Sequence, residues 1–469
     1  MAAGTVSFAA RVAGVPVRGT GLSVELYDPP LTELLASFDS AKKISGASIP
    51  QYIEIYRAGT EDLKEFKTGP GRNVACEYHA DGLWMVQPGY LGTRQCAAET
   101  QNLLTQTGIL GASWANHECA TKQLFGHTFG AFVSPLLTKR SAEAVAANAN
   151  EVQATLGPLL LLLETPSYHA WSAGSIGLAE YFAEISARSE VGFCLDIGHA
   201  FTFFQLERAR TGISEDRFLS EWLETFPIHR IVEMHVAGSR VERPLDPRMA
   251  SAAGTRYVDY HPAPNPPEYL AWLSAHLAHP KLQHLRGVAF EVDGKEPSEI
   301  IREFQTVRET VQRERPGFIP APAAGRADLA PRPAGGGDPG DPLLREEYRR
   351  YVAVLSGAEP PSEADGPAEW VRMEREAIRH GYERMRGGEM SALFPQTSRL
   401  LEEAGIGAAD FDDYFERHAA FEDGPFDFFR LVVLSFVAYV KERTASGREL
   451  SGEAFGIAST EAQLLLSSA

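Results

Sequence analysis

Cysteine is scarce in this chain. Four residues in 469, Cys76, Cys96, Cys119 and Cys194, stand far apart without a CxxC pair, so neither a disulfide framework nor a zinc ribbon is expected. Positive charge is also short: 44 Lys and Arg against 62 Asp and Glu leave a net charge of −18. Nucleic-acid surfaces need clustered Lys and Arg to displace counterions, so no nucleic-acid partner is expected. Long apolar runs are missing too. None approaches the roughly 20 residues of a membrane span, and "MAAGTVSFAARVAGVPVRG" has no apolar h-region. The expected setting is a reducing cytoplasm, with no membrane partner.

What is present is a 44% hydrophobic chain, long enough for a large barrel plus something smaller. The Pro-, Gly- and Ala-rich stretch 315–342 reads as a linker. Before it, over 1–314, apolar strand-like runs alternate with helical patterns. The strands are "LSVEL" (22–26), "YIEIY" (52–56), "VACEYHA" (74–80), "ASWANHE" (112–118), "LLLLLE" (159–164), "VGFCLD" (191–196), "IVEMHV" (231–236) and "GVAFEVD" (287–293). Between them lie helices such as 141–157, with Ser141 as N-cap and Gly157 at its end. Eight strands alternating with helices imply a parallel α/β sheet, and the count suggests closure into a (β/α)8 TIM barrel, with an open doubly wound sheet as the alternative. After the linker, 343–469 reads as a separate all-helical domain whose simplest role is interaction.

Barrels of this kind carry their active sites at the C-terminal ends of the strands. Strand three ends at His79, strand four at His117 and Glu118, strand five at Glu164 and strand six at Asp196, with His199 just beyond. Strand seven gives His235, the loop after it Asp259 and His261, and strand eight Glu291, while Glu25 and Glu54 come from the first two strands. Taken singly, a strand-end His is usually a hydrogen-bonded core residue and a strand-end carboxylate a helix cap. Six consecutive strands ending this way is not a structural requirement, and it points to metal. Imidazole and carboxylate donors without a thiolate cluster suit Fe, Mn or Zn. Their number suits two or three ions, with positions left open for substrate, water or dioxygen.

These residues resemble the multinuclear non-haem iron-dependent oxidases, TIM-barrel enzymes that modify ribosomally made peptides. The resemblance covers about 20–300. It rests on "GTGLSVEL", "YIEIYRAG", "YHADGL", the stretch from "VSPLLTKR" to "LLLLLETPSYH", "CLDIGHAF", "MHVAGS", "VDYH" with "PAPNPPEYL", and "FEVDG". It places ligands at His79, Glu164, Asp196, His235, Asp259, His261 and Glu291. "WANHEC" reverses the family's acidic-then-His order as His117-Glu118; adjacent strand residues face opposite ways, and His117 is favoured as the inward one. His199 stands where relatives often have Asn, and Thr165 where Asn usually follows the Glu. The same series also resembles the three-zinc site of endonuclease IV-type enzymes, and metal-dependent sugar isomerases share the barrel. The 141–157 helix with its flanks, "HVAGS" and the acidic charge favour the oxidase over the zinc enzyme; the His count is high for an isomerase, and the intact ligand series argues against a degenerate binding scaffold.

The resemblance implies an Fe(II)/Fe(III) pair, or three irons, with a substrate side chain held at one ion and O2 as co-substrate at another. The substrate would be a ribosomally made precursor peptide. The family often works with a separate partner protein that grips the leader of that peptide. "SALFPQTSRLLEEAGIGAADFDDYFERHAAF" resembles the helical opening of such partners, which implies that the partner is fused here through the linker. The cysteines are read as small core residues.

Overall fold

The computed structural model describes residues 6–27, 29–56, 58–242, 256–323, 340–385, 390–407, 428–445 and 452–468, with isolated positions between 410 and 418. They fall into two compact units, Met1–Cys119 with Ser134–Gly340, and Ala120–Val133 with Asp341–Ala469.

The first unit opens with strands β1 (Gly19–Glu25), β2 (Ile53–Tyr56), β3 (Cys76–His79) and β4 (Trp114–Glu118). A hairpin of β5 (Thr121–Leu124) and β6 (His127–Val133) follows β4 in the chain but belongs to the second unit. Then come β7 (Leu160–Glu164), β8 (Gly192–Asp196), β9 (Ile231–Val236), a second hairpin of β10 (Ser239–Glu242) and β11 (Arg256–Asp259), and β12 (Gly287–Glu291). Strands β1, β2, β3, β4, β7, β8, β9 and β12 close in that order into a parallel barrel, each paired with the next and β12 with β1. All eight expected strands are present, and the barrel rather than the open sheet is the outcome. The helices of this unit are α1 (Phe8–Val12), α2 (Leu31–Ser45), α3 (Thr60–Thr68), α4 (Arg94–Leu110), α5 (Lys139–Leu156), α6 (Leu178–Arg188), α7 (Ile197–Thr211), α8 (Glu215–Thr225), α9 (Pro267–Leu277) and α10 (Pro297–Glu314).

Helix α5 starts two residues before the expected 141. Its N-cap is Thr138, whose hydroxyl accepts from the Ser141 amide at 3.1 Å, while the Ser141 hydroxyl lies 3.0 Å from the Tyr181 hydroxyl. Both residues can cap; Thr138 does so because its backbone is extended and Ser141 is already inside the first turn.

The floor of the barrel is packed by Tyr52, Trp114, Leu160, Leu162, Cys194, Val232 and Ala289, and closed from below by Phe8, Val12 and Val15. Tyr52 fits because two neighbours lack a side chain. A Cβ on Gly21 would sit 2.4 Å from its ring, and one on Gly287 2.5 Å from its hydroxyl. Both oxygens of Glu233 are engaged in this floor, accepting from the Tyr52 hydroxyl and the Trp114 indole at 2.6 Å each. The β8–β9 register slips between Phe193 and Cys194, so that Phe193 pairs with Ile231 but Cys194 with Glu233. That bulge resets the pleat of β9, which lets Val232, Glu233 and His235 all serve the interior.

The second unit contains the β5–β6 hairpin and helices α11 (Pro342–Ser356), α12 (Ala368–Met385), α13 (Met390–Leu393), α14 (Pro395–Glu403), α15 (Phe428–Ala445) and α16 (Gly452–Ser468). Helix α12 packs against β6, and α11 against β5. Its core includes Leu344, Tyr348, Val371, Phe394, Phe411, Val433, Phe436 and Val440. Much of 408–421, within the expected all-helical domain, falls outside the described residues. Helix α14 begins after Phe394, which has no capping side chain, and Glu461 of α16 takes that role instead. Its carboxylate accepts from the amides of Gln396 and Thr397 at 2.9 and 3.2 Å and from the Thr397 hydroxyl at 2.6 Å. Among the described residues, no helix is long and apolar enough to cross a membrane.

Candidate metal centre

The carboxyl ends of the barrel strands converge on one buried polar cluster. Two groups of donor atoms lie within 4.8 Å of one another: His79, Glu164, His235 and Glu291, and Glu164, Asp196 and His199. Glu164 is common to both. His79 Nε2 is 3.0 Å from Glu164 Oε2, and the rings of His79 and His235 are 6.0 Å apart. His235 has Nδ1 3.1 Å from Glu291 Oε1 and 3.6 Å from Glu164 Oε1, with Nε2 3.0 Å from Glu54 Oε1.

Asp196 ends β8 and caps α7, its Oδ1 accepting from the His199 amide at 2.6 Å. The cap turns the chain after the apolar strand "GFCL" so that His199, in the first turn of α7, joins the same cluster. His199 Nδ1 lies 2.7 Å from the Thr165 carbonyl and Nε2 3.4 Å from Asp259 Oδ2. Asp259 comes from the β10–β11 hairpin rather than from a barrel strand. Its Oδ1 is 3.4 Å from His261 Nε2, which is also 3.4 Å from Glu291 Oε2, and His261 Nδ1 is 2.8 Å from Asp293.

On β4 the pleat puts the two expected ligands on opposite faces. Trp114, Asn116 and Glu118 share one face: Trp114 reaches Glu233, the Asn116 amide donates to Glu164, and the charge of Glu118 is felt by His199. Sequence reasoning favours His117 as the inward residue, but it has the opposite parity, with Nδ1 3.0 Å from the Ala80 carbonyl. Burial drives its pKa down to about 4. Glu118 accepts from the Ser167 amide at 3.1 Å, and burial raises it to about 7 against the pull of His199. The structure gathers the candidate ligands into one network, His117 at its edge through the Ala80 carbonyl that it shares with His79 and through the charges of His79 and Glu164. It draws in Glu54 from the second strand and adds Asn116 and Asp293, which sequence reasoning did not place in the site. Strand parity points to Asn116 once Trp114 is known to face inward; Glu54 carried a signal as the acidic residue of its strand.

The electrostatics are those of a crowded buried cluster that could hold cations. Burial lifts Glu54 to about 8, with Glu233 adding to it, and lifts Asp196 to about 7. Burial pushes His79 down, but its bond to Glu164 and the charges of Glu164 and Glu54 outweigh it and bring the imidazole up to about 9. Against its own burial, Glu164 is held well below the usual carboxylate range by His235 and His79. Against their burial, His199 and His261 are raised by the carboxylates around them, and His235 by Cys194 and then by Glu54, Glu164 and Glu291. Metal-free, the imidazolium protons supply the positive charge that the buried carboxylates need. Acceptors still remain: Glu54 Oε2 and Asp196 Oδ2 are buried without a hydrogen-bond donor, where desolvation costs on the order of 1–3 kcal/mol each. A cluster of imidazoles and carboxylates with spare buried acceptors fits divalent first-row cations.

A third donor group, Cys194, Glu233 and His235, lies one layer deeper. Glu233 already commits both oxygens to Tyr52 and Trp114, and burial raises the Cys194 thiol far above its normal pKa. This layer belongs to the floor.

Among solved structures, the chain is similar to endonuclease IV from Thermus thermophilus, at 15% identity over 63% of this chain and 99% of that one with a TM-score of 0.37. It is also similar to a D-psicose 3-epimerase, at 10% identity over 63% and 98% with a TM-score of 0.37. A third likeness is to the probable 3-DHS dehydratase AsbF from Bacillus anthracis, at 8% identity over 62% and 98% with a TM-score of 0.35. No curated protein matches the chain. Residues 92–312, which run from just before α4 into the last turn of α10 and include most of the cluster, match the family model for the RiPP precursor modification enzymes MbnB/TglH/ChrH.

Proposed function

We propose that the protein is an O2-dependent multinuclear iron oxidase that modifies a ribosomally synthesised precursor peptide. The observation that carries this reading is the pair of donor groups meeting at Glu164, which suits two ions sharing one carboxylate. His79, His235 and Glu291 would hold one ion with Glu164, and Asp196 and His199 the other, while Asp259, His261 and Glu118 supply donors for the second ion or a third. Bound iron would anchor a substrate side chain and activate O2, which amino-acid side chains alone do poorly.

The chain's own residues do the rest. Asn116 donates to Glu164 and fixes the rotamer of the shared carboxylate. Thr165 orients the second group twice, its carbonyl at His199 Nδ1 and its hydroxyl accepting from the Asp196 amide at 3.0 Å. The buried walls exclude water from everything below Glu54 and His235, while Asp259 and His261, each more than a fifth exposed, face the opening where a peptide would enter. The helical unit would hold the leader, raising the local concentration of the peptide, in place of a separate partner protein.

Metal analysis of protein purified without oxygen tests this. Two or three irons per chain, with a mixed-valent resonance signal after brief exposure to air, are expected. Tightly held zinc together with phosphodiester cleavage would overturn the reading.

A further inference from the structure

Resting on that reading, we propose that Glu54 is a positioning residue. It holds the His235 ring from below so that Nδ1, and not Nε2, is the nitrogen presented to the metal cluster.

His235 sits between two acidic layers. On its upper side Nδ1 faces Glu291 at 3.1 Å and Glu164 at 3.6 Å, both members of the donor group. On its lower side Nε2 lies 3.0 Å from Glu54 and 3.8 Å from Glu233, within ion-pair range though without hydrogen-bond geometry. The ring is fully buried, as are both lower carboxylates, so no water competes for Nε2. A metal-bound imidazole keeps its proton on the other nitrogen, and that proton needs an acceptor. Of the two acceptors below, Glu233 is already committed to Tyr52 and Trp114. Glu54 is not. Its Oε1 takes one bond, from the Ser23 hydroxyl at 3.0 Å, and its Oε2 has no hydrogen-bond donor.

The backbone supports the same assignment. Glu54 lies in register with Ser23 on β1, so the hydroxyl that steers the carboxylate comes from the adjacent strand. Glu233 and His235, alternate residues of β9, share the interior face. Without Glu54, the ring could turn over and offer Nε2 upward, since Glu164 and Glu291 would attract either nitrogen.

The test uses the full-length protein, stripped of metal and titrated with Co(II), whose visible d–d bands report ligand geometry. Glu54→Ala is expected to lower Co(II) affinity by about 10- to 100-fold, the range found when an outer partner of a ligating His is lost, and to change the bands. Glu54→Gln keeps a carbonyl oxygen facing Nε2 and is expected to hold affinity within about threefold and the bands unchanged. Ser23→Ala, which leaves Glu54 in place, covers the case in which Glu54→Ala fails to fold; a reduced affinity there supports the inference. Wild-type affinity and bands in Glu54→Ala, or a Gln variant as weak as the Ala variant, would overturn it. If the unaltered protein takes up no metal at all, the proposed metal centre itself fails, which is a different result.

Discussion

At the scale of single residues, the site is a set of basic groups waiting to exchange protons for metal. Cations compete with those protons. Glu54, near 8, Asp196, near 7, and His79, near 9, all hold protons around neutrality in the metal-free state. Affinity for a divalent cation should therefore climb steeply from pH 6 to pH 9, by more than the tenfold per unit expected of a single proton. Stability of the metal-free protein should move the other way. His79 has a folded pKa above its unfolded 6.5, so its contribution is complete below 6.5 and lost as pH rises through about 9. Glu54 and Asp196, also raised, lose theirs through about 8 and 7. Thermal melts of stripped protein between pH 6 and 9 should show a falling midpoint that added metal restores; a flat profile would contradict this. His235→Ala should bind little metal and show no turnover while keeping the far-ultraviolet dichroism of the barrel. Full metal occupancy in that variant would remove His235 from the ligand set.

Elements explain which of these residues were legible in the sequence. The barrel strands announce themselves through apolar runs ending in His or a carboxylate, and His79, Glu164, Asp196, His235 and Glu291 sit where that pattern puts them. Parity within a strand is harder to read. Both His117 and Glu118 end an apolar stretch, and only the pleat, seen through Trp114 and Asn116, shows which faces inward. The β9 bulge is invisible in "IVEMHV", because strict alternation would have Val232 and Glu233 on opposite faces. The β5–β6 hairpin, "TKQLFGHTFGAFV", has the composition of an ordinary loop, and its value lies in the distant helices packed on it. Caps borrowed from other helices are equally hidden. Glu461 lies 64 residues from Thr397, whose amide and hydroxyl it binds. Glu461→Ala should destabilise the helical unit by about 1–2 kcal/mol, measured as a shift in its denaturant midpoint; an unchanged midpoint would show the cap to be dispensable.

On the scale of the whole molecule, the barrel carries the stretch that matches the RiPP-modification family model, and the helical unit follows it in sequence without being wholly C-terminal. Residues Ala120–Val133 leave the chain after β4 and are counted with Asp341–Ala469. At their roots Glu118 accepts from Ser167, and the Ser134 hydroxyl donates to the Ser167 carbonyl at 2.6 Å. A protease site engineered into 324–339 should yield two fragments that stay together on a sizing column without denaturant, because one fragment carries the hairpin that the other packs on. Separation of the fragments would show that the hairpin contributes little. The same interleaving governs how such a protein could be recombined. A graft that transplants the helices onto another barrel as a tail would leave behind two strands of their own framework, so a working chimera has to move two stretches of gene at once.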